Sequence, residues 1–264
     1  MLRVLSLCWG AGGDGRCRVD GGRHQKRVIP MSLHAMDWNE IAHSYSQVEN
    51  SRKEVVFPFV RDKLKKLRPA KLLDFGCGDG TFAMMCRDLA REIFNYDIAP
   101  EMNLLARETC ASASNIALLA ALDEADPESM DAITMNAVWM CLPTAEACAL
   151  ALRQMHALLR PAGRLFASFT HPCFRDRRFC GLEAEFDQRK YLMNGTGFKV
   201  RIFDGKGSVE ISDTHWNFST VTEQLVTAGF MARRIYELPD AGKNATEALG
   251  SPWVVLEAVK VAQG

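Results

Sequence analysis

The chain has 264 residues, 48% hydrophobic and 24% charged, a composition that excludes an intrinsically disordered protein. Lys plus Arg total 32 and Asp plus Glu total 32, so the basic excess expected of a protein that grips nucleic acid through its phosphates is missing. The longest uninterrupted apolar run, IALLAAL at 116–122, is too short to span a bilayer.

The nine cysteines form no CxxC pair and no His/Cys cluster, a pattern that predicts free thiols in a reducing, cytoplasmic setting and no metal site. Residues 1–36 read as an appendage. Their glycines and arginines carry no helical or strand period after MLRVLSL, and a secretory signal would need a longer apolar core. They are expected to be a disordered leader or an over-extended start, with the folded domain over 37–264.

From residue 37 to 67 the spacing predicts amphipathic helix, interrupted near Pro58 and ending before Pro69. KLLDFG then reads as a strand, followed by a glycine-rich turn and a helix over 81–90. IFNYDI is a second strand, after which Pro100 opens a helix, where its missing N–H is harmless. NIALLA and DAITMNAV supply strands three and four, 146–160 a helix, and RLFASFT the fifth strand. Strands alternating with helices predict right-handed crossovers and a mostly parallel sheet covered on both faces.

Past Pro172 the alternation breaks. Residues 175–190 read as a charged loop or short helices, and KVRIF–DGKG–SVEIS as a hairpin. Thr220 and Glu223 suggest a capping box for a helix ending at Gly229, and RRIYEL and WVVLEAVKV close the fold.

The stretch that carries chemistry is Asp74-Phe-Gly76-Cys77-Gly78-Asp-Gly80-Thr81, set between a strand and a helix. Glycines there allow positive φ and close approach of a ligand to the backbone. Asp97, at the end of the next strand, can accept both hydroxyls of an adenosine ribose. The third small residue that a dinucleotide fingerprint places for close packing around a pyrophosphate is absent, since G-x-G-x-G runs into threonine. An adenosine without a diphosphate fits better, and S-adenosylmethionine is such a ligand.

On these residues the sequence resembles the class I S-adenosylmethionine-dependent methyltransferases, in their small-molecule branch. LLDFGCGDGTFA matches the family's first motif, YDIAPEMNLLAR its second, and LLRPAGRLFASF its turn into the fifth strand; the likeness runs over 38–260. It implies a Rossmann-like, doubly wound, mostly parallel seven-stranded sheet with an antiparallel closing strand and a lid insertion at about 174–216. It also implies that Asp74, Gly76, Cys77, Gly78 and Gly80 line the cofactor. Asp97 would then hold the ribose, with Ile98 and Met102 against the adenine. Asn136 and Ala137 would face the methionine portion, Tyr45 would lie over the cofactor, and Arg52 would meet a carboxylate. The family's acidic residue after strand three is missing, because this chain has Leu119-Ala-Ala-Leu122 there.

His171, at the end of the fifth strand, and His215, before the last helix, are the candidate bases. Trp38, Phe174 and Trp216 are candidates for an aromatic wall around a planar substrate, and Arg175, Arg177 and Arg178 for recognition of an anionic one. The expected reaction moves a methyl group to nitrogen or oxygen of a small molecule, with a heterocyclic metabolite of the toxoflavin type as one candidate acceptor and neither nucleic acid nor membrane as partner. Two alternatives stand beside it. A nucleic-acid methyltransferase is disfavoured by Asn136-Ala-Val-Trp139 where an amino-methylating enzyme carries Pro-Pro, and a non-catalytic cofactor-binding module, against which the intact glycines and Asp97 speak, is the other.

Overall fold

A computed structural model of the chain describes residues 34–49, 51–241 and 250–261. Contacts divide the chain into Met1–Met31 and Ser32–Gly264, and the described residues all belong to the second unit. The expected leader therefore lies outside the described residues.

The main sheet is built from strands whose side chains are buried on both faces. β1 (Lys71–Phe75), β4 (Met130–Asn136), β11 (Trp253–Lys260) and the second half of β5 (Leu159–Thr170), from Leu165 on, are mostly buried, as central strands covered by helices must be. β2 (Glu92–Tyr96), β3 (Ile116–Leu118) and β10 (Phe230–Leu238) complete the order β10-β11-β5-β4-β1-β2-β3. Only β11 runs against the rest, antiparallel to both β5 and β10. Strand order reverses direction at β1 and β4, so a crevice opens above their carboxyl ends, where open α/β sheets bind ligands. Asp74 pairs with Thr134 in that register.

Around the sheet lie α1 (His34–Gln47), α2 (Phe57–Leu67), α3 (Thr81–Met85), α4 (Pro100–Cys110), α5 (Ala145–Leu158) and α6 (Phe218–Thr227). The N-terminal helix breaks after Gln47 rather than near Pro58. A π-helical turn, Arg52–Val56, leads into α2, and Pro58 sits in the first turn of α2. α3 is shorter than expected. The carbonyls of Arg87 and Ala90 accept from the Asn115 side chain, while the amides of Arg91 and Glu92 turn back to Ala70 O, so the chain leaves the helix to enter β2. α6 is capped by Asn217, whose side chain accepts from Thr220 N at 2.9 Å, one turn earlier than the Thr220/Glu223 box.

The insertion after β5 is a four-stranded antiparallel sheet, β6 (Arg178–Phe179), β7 (Leu182–Glu185), β8 (Thr196–Phe203) and β9 (Ser208–His215). The hairpin is β8–β9. Residues 175–190, expected as loop or short helices, hold β6 and β7 as well as one helical turn, Gln188–Lys190, because Leu182 and Ala184 pair with Ile202 and Val200 and extend the apolar face of the hairpin. β9 packs on α1 and on the helical turn Trp139–Cys141 after β4, and Asp204 at the hairpin tip accepts from Glu49 N. The insertion is thus held against α1 and the post-β4 turn. No helix among the described residues is long and apolar enough to cross a membrane.

Candidate active site

The chain turns sharply at the end of β1. Gly76 N and Cys77 N both donate to Tyr96 O at the end of β2, at 2.7 and 3.0 Å, which ties the turn to the neighbouring strand. Gly76 has φ +72°, and a Cβ on it would come within 2.4 Å of Val138 Cγ2, so the post-β4 turn packs directly on the bare backbone. Gly78, at φ +55°, has the opposite surroundings: nothing lies within 4 Å of the position its Cβ would take. Of the turn's three glycines, only Gly78 has open space where its Cβ would point.

Asp97 binds the two motifs together. One carboxylate oxygen accepts from Gly78 N and the other from Ala99 N, each at 2.9 Å. Each oxygen retains a lone pair for a further donor. Burial raises its pKa, while the amides of Ala99 and Gly78 oppose the rise. Asp74 is 1% exposed, and its Oδ1 accepts from Thr134 Oγ1 at 2.7 Å. Desolvation lifts it to about 7 against the pull of Thr134 and Arg52. Asn136 Nδ2 has no partner of normal geometry, though it lies near enough to Asp74 to help hold that carboxyl down. Ala137 takes φ +59°, with its amide bonded to Ser168 O at 3.0 Å.

The N-terminal helices reach the same place. Tyr45 is buried, with Trp38 edge-on at 5.1 Å, and the Arg52 guanidinium lies 5.1 Å from the ring centres of both Tyr45 and Phe57. Burial pushes the Tyr45 phenol up to about 12 even though Arg52 pulls it down. Lys53 Nζ stands 3.7 Å from Asp79 Oδ2, which links the π-helical turn to the glycine turn. Asn39 Oδ1 accepts from Glu101 N at the start of α4.

A methyltransferase domain family model matches residues 50–201. The chain belongs to that family. A search of curated proteins finds no match. Among solved structures, an S-adenosylmethionine-dependent methyltransferase from Clostridium acetobutylicum is similar at TM-score 0.60 and 12% identity, covering 86% of this chain and 100% of that one. The 1,6-didemethyltoxoflavin-N1-methyltransferase of Burkholderia thailandensis, with S-adenosylhomocysteine bound, is similar at TM-score 0.56 and 19% identity, covering 86% and 87%. An amino pentose methyltransferase from Micromonospora echinaspora follows at 0.53 and 18%, covering 84% and 96%. At these identities the likeness is one of fold.

The cofactor of this class I methyltransferase is S-adenosylmethionine, and the residues fit it. The open space at Gly78, the Asp97 lone pairs at the end of β2 and the unpartnered Asn136 amide lie along the crevice above β1 and β4. Ile98 is 41% exposed, whereas Met102 at 2% is sunk in the core. Cys77 is buried, with its thiol near Gly78 O and its pKa raised by desolvation. Gly80 packs on Ala106 and Cys110 of α4 and so shapes the turn from behind.

Both candidate bases are engaged within the protein. His215 is fully buried. Its Nδ1 accepts from an Arg175 guanidinium nitrogen at 2.6 Å, and its Nε2 faces Tyr191 O at 2.8 Å. Arginine only donates and a carbonyl only accepts, so the ring is neutral with its one lone pair in use. It stacks on Phe186 at 4.3 Å, and burial brings its pKa down to about 4. His171 is 3% exposed, with Nδ1 accepting from Cys173 N and Nε2 donating to Glu237 at 2.7 Å. Neither histidine has a lone pair free for a substrate proton. His171 ties the start of the insertion to Glu237 on β10, and His215 braces the insertion from within through Arg175 and Tyr191.

The aromatic candidates do not form one wall. Trp38 joins Tyr45, and Trp216 bonds Leu142 O at 3.2 Å. Phe174 packs on His171 at 4.5 Å, beneath Arg177. The arginine run divides as well: Arg177 and Arg178 are exposed, while Arg175 is buried with its guanidinium turned inward. Sequence reasoning missed Lys53, whose bond to Asp79 joins helix to turn, and Asp213 on β9. The available signal for Asp213 was alternation, since it continues the inward phase of Val209 and Ile211.

Proposed function

We propose that this methyltransferase transfers a methyl group to nitrogen or oxygen of a small, planar molecule held beneath the antiparallel insertion. When bound, S-adenosylmethionine supplies an already activated methyl group to the acceptor's lone pair. The protein's part is then alignment and exclusion of water. Orientation of two bound partners is worth about 7–11 kcal/mol, and a general base typically contributes two to four powers of ten, so two histidines with occupied nitrogens leave the reading intact.

In this reading Asp97 receives the ribose hydroxyls and Ile98 meets the adenine. Asp74 and Asn136 serve the amino end, and Tyr45 with Arg52 closes over the methionine portion. The β6–β9 sheet excludes water, as enzyme lids do. The observation that carries the proposal is the pairing of Asp97 with Gly78 N, at the one glycine of the turn with open space where its Cβ would point. The bound substrate of the Burkholderia thailandensis relative, 1,6-didemethyltoxoflavin, makes a nitrogen heterocycle a reasonable first acceptor to try.

The test is incubation of the full chain with isotopically methyl-labelled S-adenosylmethionine and panels of amino heterocycles, amines and phenols, followed by mass analysis. Label transferred to an N- or O-acceptor is expected. Label appearing only in added RNA or DNA would contradict the small-molecule reading.

A further inference from the structure

We propose that Asp213 is an acceptor-binding residue: its carboxylate, on the inward face of β9, takes hydrogen bonds from the N–H groups of an amino-substituted heterocycle. The proposal deepens the reading above and rests on it.

Along β9 the inward positions are Val209, Ile211, Asp213 and His215, and across the hairpin they face Ile202, Val200, Phe198 and Thr196. Asp213 is the single acid on this largely apolar surface. β9 packs against α1 and the Trp139–Cys141 turn, the elements that flank the glycine turn. The residue is 2% exposed, and both carboxylate oxygens are buried without a hydrogen-bond partner. Among the described residues no Lys, Arg or His nitrogen lies within ion-pair distance of it.

An isolated carboxylate in such surroundings costs several kcal/mol even after relaxation. Its neighbour Arg175 does not relieve this. That guanidinium gives one terminal nitrogen to His215 and the other to Thr170, while its Nε–H is itself buried and unpartnered. Desolvation lifts Asp213 to about 7 despite the attraction of Arg175. The insertion therefore holds two unmet acceptors on Asp213 and one unmet donor on Arg175.

A ligand that completes this set must donate to Asp213 and accept from Arg175, whose guanidinium already lies 4.8 Å over the Phe198 ring, while presenting apolar surface to Ile211. An amino group beside a ring nitrogen does so. A carboxylate or phosphate would meet Asp213 with repulsion. A hydroxyl offers a donor but no adjoining acceptor.

The test uses the full chain and a matched pair of probes, 2-aminopyrimidine and 2-methylpyrimidine, which differ by the N–H donor. Wild type, Asp213→Asn and Asp213→Leu are compared by calorimetry and thermal unfolding, with and without S-adenosylhomocysteine. The expected result is that 2-aminopyrimidine binds wild type about tenfold more tightly than either variant, the scale of hydrogen bonds to a charged group. 2-Methylpyrimidine should bind all three equally weakly. Asp213→Leu should unfold at the same temperature as wild type or higher, since it removes an unpaired buried charge. Failure of 2-aminopyrimidine to bind wild type, equal binding to all three, or a fall in melting temperature in both variants would overturn the proposal. Wild type that takes up 2-aminopyrimidine but not S-adenosylhomocysteine would sink the cofactor reading and leave the role of Asp213 standing.

Discussion

Gly76 and Gly78 stand two residues apart and do opposite work. Gly76 is bare because Val138 occupies the place of a side chain, and Gly78 is bare beside open space. Alanine at 76 must adopt a left-handed backbone, at about 1–2 kcal/mol, and also displace Val138, with overpacking of about 1–3 kcal/mol. Alanine at 78 meets only the backbone term. Denaturant titration should therefore show Gly76→Ala clearly less stable than Gly78→Ala, while Gly78→Ala should lose more affinity for S-adenosylhomocysteine relative to its loss of stability. Equal stability of the two variants would show that Val138 does not pack on the turn. The same contrast of filled and unfilled neighbours separates Met102, closed in the core, from Ile98, which faces outward.

The insertion depends on bonds between residues far apart in the chain, and His215 is the one most open to test. Its folded pKa, near 4, lies below the ordinary histidine value of about 6.5. Between those values the unfolded chain binds a proton that the folded chain refuses, so the contribution of His215 is intact above pH 6.5 and is lost as pH falls toward 4. Glutamine can accept from Arg175 and donate to Tyr191 O without titrating. On going from pH 7 to pH 4, His215→Gln should lose less stability than wild type, by up to about 3 kcal/mol in urea titrations. Parallel curves would remove His215 from the set of titrating anchors. Such anchors explain what was legible in the sequence. β1, its glycine turn, β2 and Asp97 follow one another along the chain, and their local order is itself the signal. Arg175 meets His215 across 40 residues, and His171 meets Glu237 across 66. No local pattern announces such a pairing, so both histidines read as candidate bases. β6 and β7 were hidden for a related reason: each is too short to show a period and becomes a strand only by pairing with β8.

At the scale of the molecule, two sheets with different chemistry converge on one place. The main sheet brings backbone amides and two carboxylates to the crevice above β1 and β4, and the insertion brings an apolar face with one unpaired acid. α1 and the π-helical turn join them, through Lys53 with Asp79 and Asn39 with Glu101. The central claim is that an adenosine-bearing sulfonium, with no diphosphate, is what the glycine turn and Asp97 hold. Calorimetric titration of the full chain with S-adenosylhomocysteine tests it most directly, with Asp97→Ala measured alongside. We predict saturable binding to wild type at a single site, weakened by about 1.5–3 kcal/mol in the variant. No heat with S-adenosylhomocysteine but saturable binding of a nicotinamide dinucleotide, or equal affinity in wild type and Asp97→Ala, would contradict it.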